Sequence, residues 1–188
     1  MIKYFLKKFR DSYLFSIRKQ VYDLIERDSR ITDLGCGDGE LLRILAPKIS
    51  YGLGVDKDRK EIAFAKQLTK KIGIKNLEFA EGDITEHSGN FDYSILMLVL
   101  HSLDYKSREK VLKNARKNSD KVIIVDYENP SLLGEKLFIH ADEMLTGHYG
   151  NFRDYLKMDG IESFLKRKSV KKFNTDEESI KIWKINQK

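Results

Sequence analysis

The sequence predicts an α/β protein with a doubly wound, mostly parallel seven-stranded sheet that closes in a C-terminal antiparallel hairpin. Short apolar runs alternate with segments of helical periodicity across residues 28–130, which is typical of a parallel sheet with helices on both faces. Residues 131–167 lose the strand pattern and favour a helical insert, and residues 168–188 alternate like a hairpin. At 188 residues the chain suits a single domain.

The N-terminal residues 1–27 carry apolar side chains at the spacing of an amphipathic helix, with a break predicted near residues 11–12. The simpler interpretation is a helix that packs on the sheet. In the alternative, the first segment is a helical cover over a ligand site, with Tyr4 or Tyr13 facing inward.

The first predicted strand leads into a glycine-rich turn. Gly35, Gly37 and Gly39 are spaced two apart, Asp33 precedes them, and an apolar helical segment follows. Glycine allows positive φ angles and leaves the main chain uncovered by Cβ atoms. We therefore expect a ligand to lie against this turn, near the free N–H groups and the positive dipole end of the next helix.

The remaining core alternates strands and helices. Four more parallel strands are predicted, over residues 51–56, 76–81, 91–98 and 121–126. The helix after the first of these has Asp58 as N-cap with Glu61 three residues later, an inward-facing Ile72, and Gly73 as its stop. Another helix is expected over residues 105–118.

The last third of the chain changes character. Two helices are predicted around a turn at residues 147–150, because the segment between the fifth strand and the hairpin has no strand signal. Residues 169–173 and 179–185 then alternate apolar and polar side chains around a short acidic turn, which predicts the two hairpin strands.

Composition limits the function classes. The 35 basic and 29 acidic residues give a net charge of +6, which favours anionic ligands only weakly. No apolar run of membrane-spanning length and no signal-peptide core occur, so we expect a cytoplasmic protein without a membrane span. The one cysteine, Cys36, excludes an internal disulfide and a thiolate metal site.

Acidic residues lie at the ends of the first three predicted strands, at the edge where ligands bind in open α/β sheets. Asp33 belongs to the first strand, Asp56 ends the second and Asp83 follows the third. The carboxylate of Asp56 can accept hydrogen bonds from both hydroxyls of a ribose. The same position also serves NAD enzymes, so Asp56 alone indicates a nucleoside and nothing finer. The alternative role for Asp56 is the N-cap of the next helix, but Asp58 suits that role better.

The order Asp-x-Gly-x-Gly-x-Gly over residues 33–39 resembles motif I of the class I S-adenosyl-L-methionine-dependent methyltransferases. It departs from the usual dinucleotide fingerprint Gly-x-Gly-x-x-Gly. Five βα units with a closing hairpin are also similar to that family's seven-stranded layout. The resemblance covers about residues 28–186, with specific motifs only in residues 31–103. It implies that residues 28–130 bind S-adenosyl-L-methionine as cofactor.

The resemblance implies a role for each strand end. Asp33 and the amides of residues 35–39 are expected to face the methionine part, Asp56 the ribose, and Asp83 with the Ile84 amide the adenine. The expected cofactor-binding residues are Asp33, Gly35, Cys36, Gly37, Gly39, Asp56, Lys57, Asp83, Ile84, Leu96 and Met97. For Asp83, the alternative is an ordinary Gly-Asp turn without function. For the segment that holds Leu96 and Met97, it is plain core packing.

The acceptor side is expected in residues 131–167, where this family commonly builds its acceptor pocket. The segment with His148, Tyr149 and Arg153 looks similar to one in small-molecule and quinone- or lipid-type methyltransferases, which makes these residues candidates for acceptor contact. His101, after the fourth strand, is a candidate for contact with cofactor or acceptor. Either histidine could act as a general base, since imidazole titrates near neutral pH. Structural roles remain the alternative for all four.

The sequence lacks the motifs of several other kinds of methyltransferase and of metal sites. The fourth strand is not followed by the Asn/Asp-Pro-Pro-Tyr that methyltransferases of base amines usually show. A C5-pyrimidine enzyme needs a nucleophilic cysteine, and Cys36 is committed to the glycine turn. No zinc-ligand spacing occurs. His140, Met144 and His148 share helical spacing but make a poor metal site, so no metal is expected.

Three functions stay open, and the first is favoured: methyl transfer to a small molecule, such as a lipid- or quinone-like one. An RNA methyltransferase is suggested by basic residues at the N-terminus and in residues 166–172, although no RNA-binding domain is appended. The third is a regulator that binds S-adenosyl-L-methionine without catalysis. A NAD dehydrogenase is remote, because the third glycine comes one residue early. The sequence determines neither the acceptor nor the oligomeric state.

Overall fold

The computed structural model describes residues 14–128, 140, 147–165 and 169–187. The described strands are β1 (Arg30–Leu34), β2 (Tyr51–Asp56), β3 (Leu77–Glu81), β4 (Phe91–Met97), β5 (Ser119–Tyr127), β6 (Val170–Asn174) and β7 (Ile180–Asn186). They form one sheet in the order β3-β2-β1-β4-β5-β7-β6. The first five strands are parallel, and β7 is antiparallel to both β5 and β6. The predicted fold class is confirmed.

Helices connect the strands of this sheet. They are α1 (residues 14–24), α2 (Glu40–Leu45), α3 (Arg59–Lys71), α4 (Tyr105–Asn118) and α5 (Tyr149–Lys157), with 3-10 turns at Leu100–Ser102 and Gly160–Phe164. Helix α1 buries Leu14, Ile17 and Val21 in the common core, as its apolar spacing requires. The predicted cover formed by the first helical segment, with Tyr4 and Tyr13, lies outside the described residues.

The strand order reverses between β1 and β4. From β1 the chain moves outward through β2 to β3, whereas from β4 it moves in the opposite direction to β5. Because parallel crossovers are right-handed, α2 and α3 lie on one face of the sheet and α4 on the other. The carboxyl ends of β1 and β4 therefore form a topological switch point, the place where open α/β sheets bind ligands.

Helix α3 begins and ends where the sequence predicts. The Asp58 side chain caps it by accepting hydrogen bonds from the amides of Lys60 (2.8 Å) and Glu61 (3.3 Å). Gly73 follows the helix with a φ of 78°. The inward orientation predicted for Ile72 is wrong, since this side chain is 53% exposed. Ile72 is the C-cap, beyond the last full turn, so the helical period no longer directs it toward the core.

The C-terminal third confirms the hairpin and shortens the predicted turn of the insert, whereas the first of the two helices predicted for residues 131–167 lies largely outside the described residues. Strand β7 buries Ile182 and Trp183 against β5. The turn predicted at residues 147–150 is shorter, because α5 begins at Tyr149. Gly147 has a φ of 82°, which marks the actual turn one residue before the helix N-cap.

Candidate active site

The glycine turn between β1 and α2 is closed by its own backbone. The amides of Gly35 and Cys36 both donate to the Val55 carbonyl, at 2.7 and 3.2 Å, and the Gly39 amide donates to the Cys36 carbonyl at 2.9 Å. These N–H groups hold the turn against the end of β2. They are therefore already engaged in the protein.

The three glycines differ in the space beside them. A Cβ atom on Gly39 would lie 2.3 Å from the Phe79 ring, and one on Gly35 would lie 2.5 Å from Val99. Beside Gly37, where φ is 51°, no nearby side chain or backbone among the described residues lies within 4 Å of that position. Gly35 and Gly39 thus serve packing and backbone conformation, and Gly37 is where a ligand can approach the main chain.

Asp56 joins the glycine turn to the loop after β2. Its Oδ2 accepts from the Gly37 amide and its Oδ1 from the Asp58 amide, both at 2.8 Å. A carboxylate oxygen accepts two hydrogen bonds, so each oxygen keeps one site for a ligand hydroxyl. Asp58 is the helix cap, which removes the main structural alternative for Asp56. The adjacent Lys57 is exposed.

Asp33 lies beneath the turn, with only 2% of its surface exposed. Burial and, after it, the negative charge of Asp56 raise the pKa of Asp33 to about 7, although the positive charge of Arg18 acts in the opposite direction. A cationic ligand group beside Asp33 would favour the ionised carboxylate. Burial and the charge of Asp33 also raise the pKa of the Cys36 thiol, which keeps this cysteine protonated and a poor nucleophile.

Asp83 reaches the same edge of the sheet, because Glu81 at the end of β3 pairs in register with Asp56. The exposed Asp83 side chain accepts a hydrogen bond from the Thr85 amide at 2.8 Å and so shapes its own turn. Ile84 is half-buried. The three acids are therefore arranged along the carboxyl edge in the strand order β1, β2, β3.

The end of β4 borders the switch point. Leu96 is fully buried and Met97 is half-buried. Leu98, the next residue, has a φ of 57°, which is unusual for a bulky side chain. Its amide donates to the Val125 carbonyl at 2.7 Å, which holds this turn against β5. The chain then enters the 3-10 turn that carries His101.

Asp126 at the end of β5 organises that 3-10 turn, a role that the sequence analysis missed. Its Oδ2 accepts from the amides of Leu100 (2.9 Å) and His101 (3.3 Å). Its Oδ1 accepts from the Tyr127 amide (2.8 Å) and lies 2.6 Å from Nδ1 of His101. Because a carboxylate accepts hydrogen bonds, this contact favours the tautomer of His101 that carries its proton on Nδ1, and it holds the imidazole ring in place. The sequence feature that could have revealed this role is an acidic residue at the end of a buried apolar strand.

Five rings form a continuous aromatic cluster next to this turn. Its members are His101, Tyr127, His140, Tyr149 and Phe152. The centroid of His101 lies 4.8 Å from that of Tyr127, and those of Phe152 and His140 are 5.3 Å apart. Nδ1 of His140 is 3.0 Å from the Tyr149 hydroxyl. The structure therefore brings two of the predicted acceptor residues, His101 and Tyr149, into one cluster.

The other two acceptor candidates lie outside the cluster. His148 is exposed at the N-cap position of α5, and Arg153 is exposed on the same helix. Helix α5 directs Phe152 and Tyr155 inward, which leaves Arg153 on the opposite side. Their assignment to the acceptor stays a prediction.

A buried arginine clamps α5 to the turn after β4. Arg108, 1% exposed, donates from Nε to the Leu100 carbonyl (2.9 Å) and from Nη2 to the Asn151 carbonyl (2.6 Å). Asn151 in turn donates to the Ser102 carbonyl at 2.8 Å. The sequence analysis missed this clamp, because Arg108 stands among the charged residues typical of a solvated helix face.

No group of three His, Cys, Asp or Glu side chains in residues 14–128, 140, 147–165 and 169–187 could hold a metal ion. Over the same part of the chain, no helix is long and apolar enough to cross a membrane.

Among known proteins, the chain is similar to the ribosomal RNA small subunit methyltransferase A of Malacoplasma penetrans, with 26% identity over 145 residues. That match covers 76% of this chain but only 50% of the relative, so the chain spans about half of the relative's length.

Solved structures share the fold. The magnesium protoporphyrin IX methyltransferase of Synechocystis PCC 6803, with bound S-adenosylhomocysteine, matches with a TM-score of 0.65 at 18% identity, over 95% of this chain and 84% of that one. A mitomycin 7-O-methyltransferase matches with a TM-score of 0.67 at 14% identity, over 94% of this chain and 55% of that one.

A family described as "Methyltransferase domain" matches residues 25–174, which include every strand except β7. This match takes in the glycine turn, the three strand-end acids and the aromatic cluster. The chain therefore belongs to this family and has the seven-stranded fold of the class I S-adenosyl-L-methionine-dependent methyltransferases.

Proposed function

We propose that the chain transfers the methyl group of S-adenosyl-L-methionine to a small-molecule acceptor. The observation that carries the proposal is the order of polar groups along the sheet edge, which matches the order of groups in the cofactor. Asp33 at β1 suits the methionine ammonium, Asp56 at β2 the ribose hydroxyls, and Asp83 after β3 the adenine amino group. Family membership supports the same ligand.

The residues present fit this cofactor. Open space beside Gly37 admits a ligand to the main chain, and Asp56 retains acceptor sites on both carboxylate oxygens. The buried Asp33 is complementary to a cation. When bound, the cofactor would supply a methyl group on a sulfonium centre: an acceptor nucleophile would bond to the methyl carbon while the carbon–sulfur bond breaks and the neutral thioether leaves.

The aromatic cluster supports a small and largely apolar acceptor. It lies at the carboxyl ends of β4 and β5, beside the switch point. Its half-buried members His140 and Tyr149 offer ring surface suited to a planar molecule, whereas the other three rings are buried. The solved structures of similar fold are named for a porphyrin and for mitomycin. We propose that residues 131–167 form the acceptor side and that Tyr149 contacts the acceptor.

The chain's contribution to rate is chiefly orientation, which can supply about 7–11 kcal/mol, whereas a general base adds roughly 100- to 10,000-fold. A base is needed only if the nucleophile carries a proton. His101 suits this role better than His148, because Asp126 fixes its ring. If His101→Gln and His148→Ala both keep full turnover with normal cofactor binding, neither of these two histidines acts as a base.

Cofactor binding is tested with Asp56→Ala. Its loss removes the ribose acceptor and also the hydrogen bonds to the amides of Gly37 and Asp58, so S-adenosyl-L-methionine should bind at least about tenfold more weakly by titration calorimetry. Asp92→Ala, which removes a half-buried acid that accepts from the Arg30 amide at the opposite end of the sheet, is the control and should bind normally. An unchanged dissociation constant in Asp56→Ala would refute the ribose assignment.

RNA is the second candidate acceptor, favoured by the relative named for ribosomal RNA. RNA binding would weaken steeply with salt, because phosphate contacts release counterions. A co-purified ligand identified by mass spectrometry, with titration of small-subunit ribosomal RNA at low salt, separates the two candidates. Cofactor binding without methyl transfer to either class would instead indicate a regulator.

A further inference from the structure

We propose that Arg18 on α1 binds the carboxylate of the cofactor's methionine part. The proposal rests on the proposed function, because it takes S-adenosyl-L-methionine as the ligand. It adds a residue from outside the strand-end motifs and assigns the N-terminal helix a direct part in the site.

Arg18 is held over the glycine turn by the packing of α1. The neighbouring Ile17 and Val21 are fully buried, which fixes the rotation of the helix about its axis. The Arg18 side chain is 11% exposed, and its Nη2 lies 2.9 Å from Oε2 of Glu40. Glu40 is the first residue of α2 and directly follows Gly39, so the guanidinium lies at the mouth of the turn.

One end of this guanidinium has no partner. Nη1 of Arg18 is buried and makes no hydrogen bond within the described residues. A buried donor on a charged group is costly to leave unpaired, and Arg presents its donors in a fork that matches a carboxylate. The pair with Glu40 uses only the other nitrogen, which leaves the donors of Nη1 for a ligand carboxylate.

Most amides of the turn are already engaged and leave little for an anion. The amides of Gly35, Cys36 and Gly39 close the turn, and that of Gly37 serves Asp56. The side chains around them are mainly acidic and would repel a carboxylate. The positive charge of Arg18 lowers the pKa of Asp33, so the two groups lie within electrostatic reach. Together they present a cation and an anion, complementary to the zwitterionic amino acid.

The second nearby cation is already used. Arg43 donates to the Asp38 carbonyl, and its Nη2 lies 3.7 Å from Oδ1 of the same residue. This leaves Arg18 as the described cation at the turn with a buried donor to spare.

The test removes the charge from the protein and the carboxylate from the ligand. S-adenosyl-L-methionine and its decarboxylated form are titrated by calorimetry against the full chain, Arg18→Met and the control Lys19→Gln. Lys19 is on the same helix with a side chain 68% exposed, so its loss matches the charge change without touching the site. Circular dichroism verifies that each variant is folded.

We expect Arg18→Met to weaken binding of S-adenosyl-L-methionine about tenfold or more. The decarboxylated ligand should bind Arg18→Met with the same affinity as it binds the wild type, or with a higher one, since the variant lacks a cation that repels this positively charged ligand. Equal losses for both ligands, or no loss for either, would overturn the assignment. A wild-type chain that binds neither ligand would overturn the cofactor itself, and a Lys19→Gln chain with the same ligand-selective loss would show a general charge effect.

Discussion

The two halves of the candidate site are built in different ways. The cofactor edge, formed by the carboxyl ends of β1, β2 and β3, takes its groups from turns that directly follow strands. The acceptor face, formed by the aromatic cluster, takes its rings from segments between residues 101 and 152, and a buried polar network aligns them. In the first half strand register places the groups, whereas in the second tertiary contacts do.

This difference explains which half a sequence motif can describe. At the cofactor edge, the register of neighbouring strands brings Asp33, Asp56 and Asp83 to the same edge of the sheet. At the acceptor face, Asp126 and Arg108 hold a turn and a helix that are far apart in the chain. Changes at Asp126, Gly39 and Asp33 therefore test the comparison, from the largest expected effect to the smallest.

Asp126→Ala should have the largest effect, because it leaves the buried donors of Leu100, His101 and Tyr127 without their acceptor. We expect a loss of about 3–5 kcal/mol in the free energy of unfolding, measured in urea. Asp104→Ala, which removes the exposed cap of α4, is the control and should cost less. A loss in Asp126→Ala below about 1 kcal/mol would mean that the network is not what holds the acceptor face.

The glycine pair tests the cofactor edge. Gly39→Ala should cost about 2–4 kcal/mol, because its Cβ atom meets Phe79 at 2.3 Å and its φ is 76°. Gly37→Ala has no such clash and should cost about 1–2 kcal/mol from its positive φ alone. Gly37→Ala should nevertheless bind cofactor more weakly, since its methyl group fills the open space. Equal stability of the two variants in urea would contradict this division of roles.

The smallest effect is a pH dependence. Because burial raises the pKa of Asp33 to about 7, the folded chain keeps a proton that the unfolded chain releases above about pH 4. The stability of the cofactor-free chain should therefore fall as pH rises from about 5 to 7, with Asp33 contributing about 2 kcal/mol. Asp33→Asn should lose this contribution, as urea unfolding across the pH range will show. An identical slope in the variant would exclude Asp33 as its source.

Prediction from sequence succeeded where local rules act. The α3 cap at Asp58, its stop at Gly73 and the hairpin strands were found, because capping, turn chemistry and alternation operate over a few residues. Ile72 was misassigned at a helix end, where the period stops constraining direction. Arg108 looked like a solvated cation, since nothing in the sequence shows that a distant carbonyl needs its guanidinium.

The sequence by itself determined the fold class, the glycine turn and the cofactor to expect, because strand periodicity and motif spacing are local properties of the chain. Only the tertiary structure decided that most of the turn's amides are occupied, that Asp126 orients His101, and that Arg18 brings an unpaired donor to the turn. Those facts depend on which distant groups meet once the core is packed, and hydrogen-bond satisfaction in a buried site is settled only there.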